Sequence, residues 1–131
     1  MNILKIEMPL LTRSKKNSQE IIYNPRTHKP MIIQSKIYRN FERECGYFLS
    51  KYQSNINYPV GLKCTFFVPD KRKRDLTNLE NAIADILVKY KVLEDDNYNI
   101  INNWDGSRIV YQKEIEKTII EINKAEVSKM N

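Results

Sequence analysis

The chain has 131 residues, 41% of them hydrophobic and 29% charged, with three glycines and five prolines. That is enough for one hydrophobic core rather than two, and it excludes a disordered or fibrous chain. Residues 1–74 carry fifteen Lys and Arg against five acids, and residues 75–100 carry two Lys against six acids, so a basic surface stands beside a concentrated acidic cluster. A polyanion partner explains the first, and a divalent cation held near a phosphodiester explains both, which favours nuclease chemistry over passive DNA binding.

No run approaches the ~20 apolar residues that span a bilayer, and residues 1–5 lack a secretory pattern. The expectation is a cytoplasmic protein without a membrane segment, forming one domain over residues 1–131. Residues 3–8 alternate as a half-buried strand that Pro9 ends. A mobile basic loop is expected at about 11–30, with Arg13, Lys15, Lys16, Arg26 and Lys29, broken only by Ile21, Ile22 and Tyr23. From about 35 to 52, Ile37, Phe41, Cys45, Phe48 and Tyr52 mark one face of an amphipathic helix, which Gly46 weakens. Val60, Leu62, Cys64, Phe66 and Val68 then alternate as a strand with one face on the core. Cys45 and Cys64 both sit at apolar-periodic positions and read as reduced core thiols.

The clearest element is a second helix carrying Leu79, Ala82, Ile83, Ile86, Leu87 and Tyr90, expected to run to about Lys89. Thr77 to Glu80 fits a capping box, with Thr77 accepting from the Glu80 amide. Residues 100–112 and 117–122 read as strand material, with Asp105 and Gly106 forming either a bulge or a hairpin turn. The acids flank the helix. Asp75 precedes it and Glu94, Asp95 and Asp96 follow it. A helix of roughly 13 residues rises about 20 Å, and the extended residues after it, at ~3.3 Å each, suffice to return. Asp75, Asp95 and Asp96 are therefore expected to converge on one divalent cation, flanked by Lys71, Arg72, Lys73 and Arg74.

The run from Pro69 through Asp70, Lys71, Arg72, Lys73, Arg74, Asp75, Leu76, Thr77 and Asn78 to Leu79, the helix segment 82–87 with Asp85 inside it, and Leu93 to Asp96 resemble the RusA-like Holliday-junction resolvases, small endonucleases found largely in phages and prophages. Strong matching covers about residues 66–101. The resemblance implies an α/β (α+β) fold, a small mixed sheet of about four strands with two helices, in an intertwined homodimer. It also implies symmetric cutting of four-way DNA junctions with Mg²⁺ or Mn²⁺, and catalytic carboxylates at Asp75 and Asp96 with Asp95 beside them. The chain departs from the pattern twice, having Thr77 in place of an Asp and Asn81 in place of a common Lys. Thr77 cannot supply the charge that binds a cation tightly. Asn78, Asp85 and Glu94 stand as supporting residues, with Asp85 or Glu94 positioned to compensate.

Each residue also has a plainer reading. Asp75 alone would be a helix N-terminal charge, Glu94 to Asp96 a solvated turn, and Lys71 to Arg74 a solvated loop. Their order along the chain favours metal binding and phosphate contact, with Arg13, Lys15 and Lys16 reaching a second DNA arm. His28 reads as an exposed loop residue, and Trp104 and the tyrosines as core and rim. The alternatives are a non-catalytic junction-binding protein with a degenerate metal site, and a basic RNA-binding or protein-interaction domain.

Overall fold

The computed structural model describes residues 2–15 and 19–126, in the order β1 (Asn2–Met8), β2 (Gln19–Asn24), β3 (Lys29–Gln34), α1 (Lys36–Leu49), β4 (Val60–Val68), α2 (Leu76–Lys89), β5 (Ile101–Asn103), β6 (Arg108–Tyr111) and β7 (Lys117–Lys124). The fold is mixed α+β, with two helices and a mixed sheet. Lys16, named above as a DNA contact, lies outside the described residues.

The alternating run at 60–68 becomes the heart of the sheet. Strand β4 pairs antiparallel with β7, which pairs antiparallel with β1, while β5 and then β6 lie parallel to β4 on its other edge. Five strands share this sheet, one more than the expected four or so. The extra one comes from residues 100–112, which form neither one bulged strand nor a hairpin. Instead the segment runs along a single edge and breaks at residues 104–107 between β5 and β6. At the break Ser107 stands in for the ladder, accepting from the Cys64 amide at 2.9 Å and donating to the Leu62 carbonyl at 3.4 Å.

Alternation decides which side of the sheet is covered. Leu62, Cys64 and Phe66 join Ile120, Ile122, Ile6 and Met8 under the two helices in one core. The other face presents Lys5, Glu7, Lys63, Lys117 and Glu121, paired as Lys63 with Glu121 and Lys117 with Glu7. Both cysteines are buried and free. Loss of water pushes the Cys45 thiol up to about 12 and Cys64 higher still, so neither is reactive.

Helix α1 begins where Ser35 caps it, the side chain accepting from the Tyr38 amide. Its buried face is Tyr38, Phe41, Cys45 and Leu49, so the expected Phe41 and Cys45 are in place, Tyr38 and Leu49 take the innermost positions instead of Ile37 and Phe48, and Phe48 and Tyr52 pack half-buried at the edge of the core. Ile37 is left exposed. Gly46 allows a close approach, since a Cβ there would lie 2.7 Å from the Tyr90 ring, and the Tyr90 hydroxyl donates to the Glu42 carbonyl at 2.8 Å. Residues 19–34, expected largely within a loop, instead form a two-stranded antiparallel ribbon in which Ile21 faces Ile32 and Tyr23 faces Pro30. The Asn24 side chain closes its turn by accepting from the Arg26 and Thr27 amides.

Candidate nucleic-acid interface and acidic cluster

The cap of α2 differs from the expected capping box. Asp75, not Thr77, is the N-cap, and its Oδ1 accepts from the Thr77 amide at 2.9 Å. A carboxylate closer to the helix start interacts better with the exposed amides and with the macrodipole than a hydroxyl does. Thr77 is thereby left exposed on the first turn.

Around this helix start lies a cleft of about 690 Å³, lined by Thr12, Arg13, Ser14, Arg72, Lys73, Arg74, Asp75 and Asn78 among others. Two distant stretches of sequence build it. The strap after β1 is pinned by the buried Thr12 and Thr118 hydroxyls, 2.7 Å apart, with Thr118 also donating to the Leu10 carbonyl. This delivers Arg13 beside Arg72 and Lys73, so its place is in the same cleft. The loop after β4 is shaped by Asp70, which accepts from the Arg72 amide at 3.0 Å and from Arg74 Nη1 at 2.9 Å. The Arg74 guanidinium and the Arg72 amide hold the Asp70 carboxyl below the ordinary carboxylate range. Arg74, only 15% exposed, is therefore partly spent on loop structure, whereas Arg72 and Lys73 remain exposed. The Lys71 ammonium lies over the Tyr111 ring at 5.3 Å. The spacing of four between Asp70 and Arg74 is the sequence signal of this loop bracket.

Asp95 and Asp96 do not join Asp75. Leu93 bridges to Ile56, the Glu94 amide donates to the Ile56 carbonyl, and the Val60 amide donates to the Ile100 carbonyl. These contacts hold residues 93–100 at the beginning of β4, next to the C-terminal end of α2. Asp75 follows the opposite end of β4. The 14 residues of α2 separate the two positions by about 20 Å, so the expected convergence does not occur within one chain. The reason is topological. β5 runs parallel to β4, so the crossover through α2 must bring the chain back to the end where β4 started.

The residues beyond α2 form their own acidic group. The Asp95 carboxylate accepts from the Asp96 amide and the Asn97 side chain. Burial, the Asp95 side chain and the charge of Asp85 raise the Asp96 carboxyl above the usual range. Asp85 itself pairs with Lys15 at 3.1 Å, which places Lys15 at this acidic end of the helix while Arg13 lies at the basic one. Glu94 is exposed beside the group and Asn81 is exposed on α2. Among the described residues, no three or more Asp, Glu, His or Cys side chains lie close enough together to hold a metal ion. The trio of Asp75, Asp95 and Asp96 thus does not fit one ion in a single subunit.

A family model for endodeoxyribonuclease RusA matches residues 12–123, which takes in the cleft, both ends of α2 and the whole of the sheet except β1 and the last residue of β7. The chain belongs to the RusA endodeoxyribonuclease family. No curated protein matches the chain. Its family acts on DNA, and no described helix is long and apolar enough to cross a membrane.

Proposed function

We propose that the protein is a metal-dependent, structure-selective endonuclease that resolves four-way DNA junctions by paired incisions as a homodimer, with Mg²⁺ or Mn²⁺. The observation that carries this reading is the separation of Asp75 from Asp95 and Asp96 by the length of α2 in a chain of this family. Two subunits related by a two-fold axis, with their α2 helices antiparallel, bring the Asp75 end of each to the Asp95 and Asp96 end of the other. Each incision centre then draws on both chains, and the two centres are equivalent. A divalent ion held between the ends would supply Lewis-acid chemistry. The chain's own cations act separately, with Arg13, Arg72 and Lys73 gripping backbone phosphates and giving affinity rather than sequence choice.

Asp75→Asn and Asp96→Asn should each abolish cleavage of a labelled four-way junction while leaving junction binding intact or tighter, because charge repulsion falls. Mixing the two inactive variants should restore nicking, since a mixed dimer contains one centre with both native carboxylates. Full cleavage by either single variant refutes the assignment, and a mixture that stays inactive refutes the shared centre. A second reading, junction binding without cleavage, is favoured by the uncharged Thr77. If Thr77→Asp creates cleavage where the parent shows none at any Mn²⁺ concentration, that second reading prevails.

A further inference from the structure

The β2–β3 ribbon gathers more exposed large apolar residues than any other described element, with Ile22 and Met31 half-open on one face and a more exposed set on the other. Ile21 is 73%, Ile32 63% and Tyr23 61% exposed. Ile21 with Ile32 and Tyr23 with Pro30 are directly opposed pairs, so all four share one face. No charged side chain interrupts that face between these pairs. An isolated two-stranded ribbon is marginal in water, and an apolar surface of this kind signals something that covers it.

Charge indicates the occupant. Residues 21–41 contain Arg26, Lys29, Lys36 and Arg39 and no acid, although Arg39 is taken up by Glu20 of β2 at 3.2 Å. The first two lie at the ribbon's turn, beyond the apolar pairs. A second copy laid face to face with the turns at the same end would bring Arg26 and Lys29 toward their equivalents, whereas DNA would neutralise them. The surface needed is flat and apolar with phosphates at its margin. Duplex DNA stacks its base faces away, but a branch point ends the stacking and offers them.

We propose that the ribbon is a branch-reading arm, with Ile21, Tyr23, Pro30 and Ile32 lying against base faces at the junction centre and Arg26 and Lys29 on the flanking phosphates. Apolar wedges placed between base steps use the same physics. The inference rests on branched DNA being the substrate, and it assigns the discrimination between branch and duplex to an element remote from the basic cleft.

The test uses the full chain, without divalent ions, on a four-way junction carrying 2-aminopurine beside the branch point and on a duplex with the same label. The native protein should raise the fluorescence of the junction but not of the duplex. Ile21→Thr with Ile32→Thr keeps β-branched residues in the strands while removing the apolar surface. This variant should lose the fluorescence rise and bind the junction about tenfold more weakly with duplex affinity unchanged. Arg26→Ala with Lys29→Ala should weaken junction binding and flatten its salt dependence. Retention of the fluorescence rise by the Thr variant, or equal weakening on both DNAs, overturns the proposal. Conversion of a dimer to monomers by the Thr variant in sedimentation also overturns it, and would assign the face to a second copy. Failure of the substrate reading itself shows differently, as a native protein that binds junction and duplex equally and cleaves neither when Mg²⁺ is added.

Discussion

Gly46 shows how a helix can carry its least favourable residue for a packing reason. Alanine there would gain about 1 kcal/mol of helix propensity, but its Cβ would sit 2.7 Å from the Tyr90 ring. The ring would have to leave the Glu42 carbonyl, and overpacking of this kind costs ~1–3 kcal/mol. Gly46→Ala should therefore lower the melting temperature, and in a Tyr90→Ala background the same change should raise it. Asp70 gives a second residue-level test. Its carboxyl is held below the ordinary range by Arg74 and the Arg72 amide, so its stabilising contribution is complete above the unfolded pKa and is lost as pH falls through the lower, folded one. In Arg74→Gln the Asp70 carboxyl should titrate higher, read from its carbon chemical shift, and the acid dependence of stability from this group should shrink.

At the level of elements, Asp75 is the observed cap of α2 and the proposed catalytic carboxylate, and substitution can separate the two. Asparagine caps a helix about as well as aspartate, whereas alanine costs ~0.5–2 kcal/mol. Thermal melts should therefore show Asp75→Asn near the parent and Asp75→Ala clearly below it, so an inactive Asp75→Asn protein reports on chemistry rather than folding. The central strand, both helices and the basic run were readable from periodicity and order alone. The buried face of α1 was not, because Ile37 with Tyr38 and Phe48 with Leu49 are adjacent apolar pairs. With Phe41 and Cys45 fixed, either member of each pair satisfies the same helical period, and the choice falls to packing against β1 and α2. The ribbon at 19–34 was hidden by its polar, basic flanks, although Asn24 and Pro25 are a turn signal. The distance between Asp75 and Asp96 was misjudged because chain reach shows only what is possible. Parallel pairing of β5 on β4 dictates the end to which the chain must return.

For the whole molecule, the excess of positive charge in residues 1–74 matters only where it is gathered, and the structure gathers part of it in the cleft of Arg13, Arg72 and Lys73. Each backbone phosphate neutralised contributes about one unit to the slope of log affinity against log salt. Arg13→Ala and Lys73→Ala should each reduce that slope by about one in junction-binding titrations. Lys63→Ala should leave it unchanged, since Lys63 lies on the open side of the sheet beside Glu121. The hydroxyl contact between Thr12 and Thr118 has a wider effect. It fastens one wall of the cleft to the first turn of the last strand, so that wall cannot peel off as a loose flap. The position of Arg13 is thereby tied to the register of β7, so a change that loosens the β1–β7 pairing reaches the cleft without touching any of its cations.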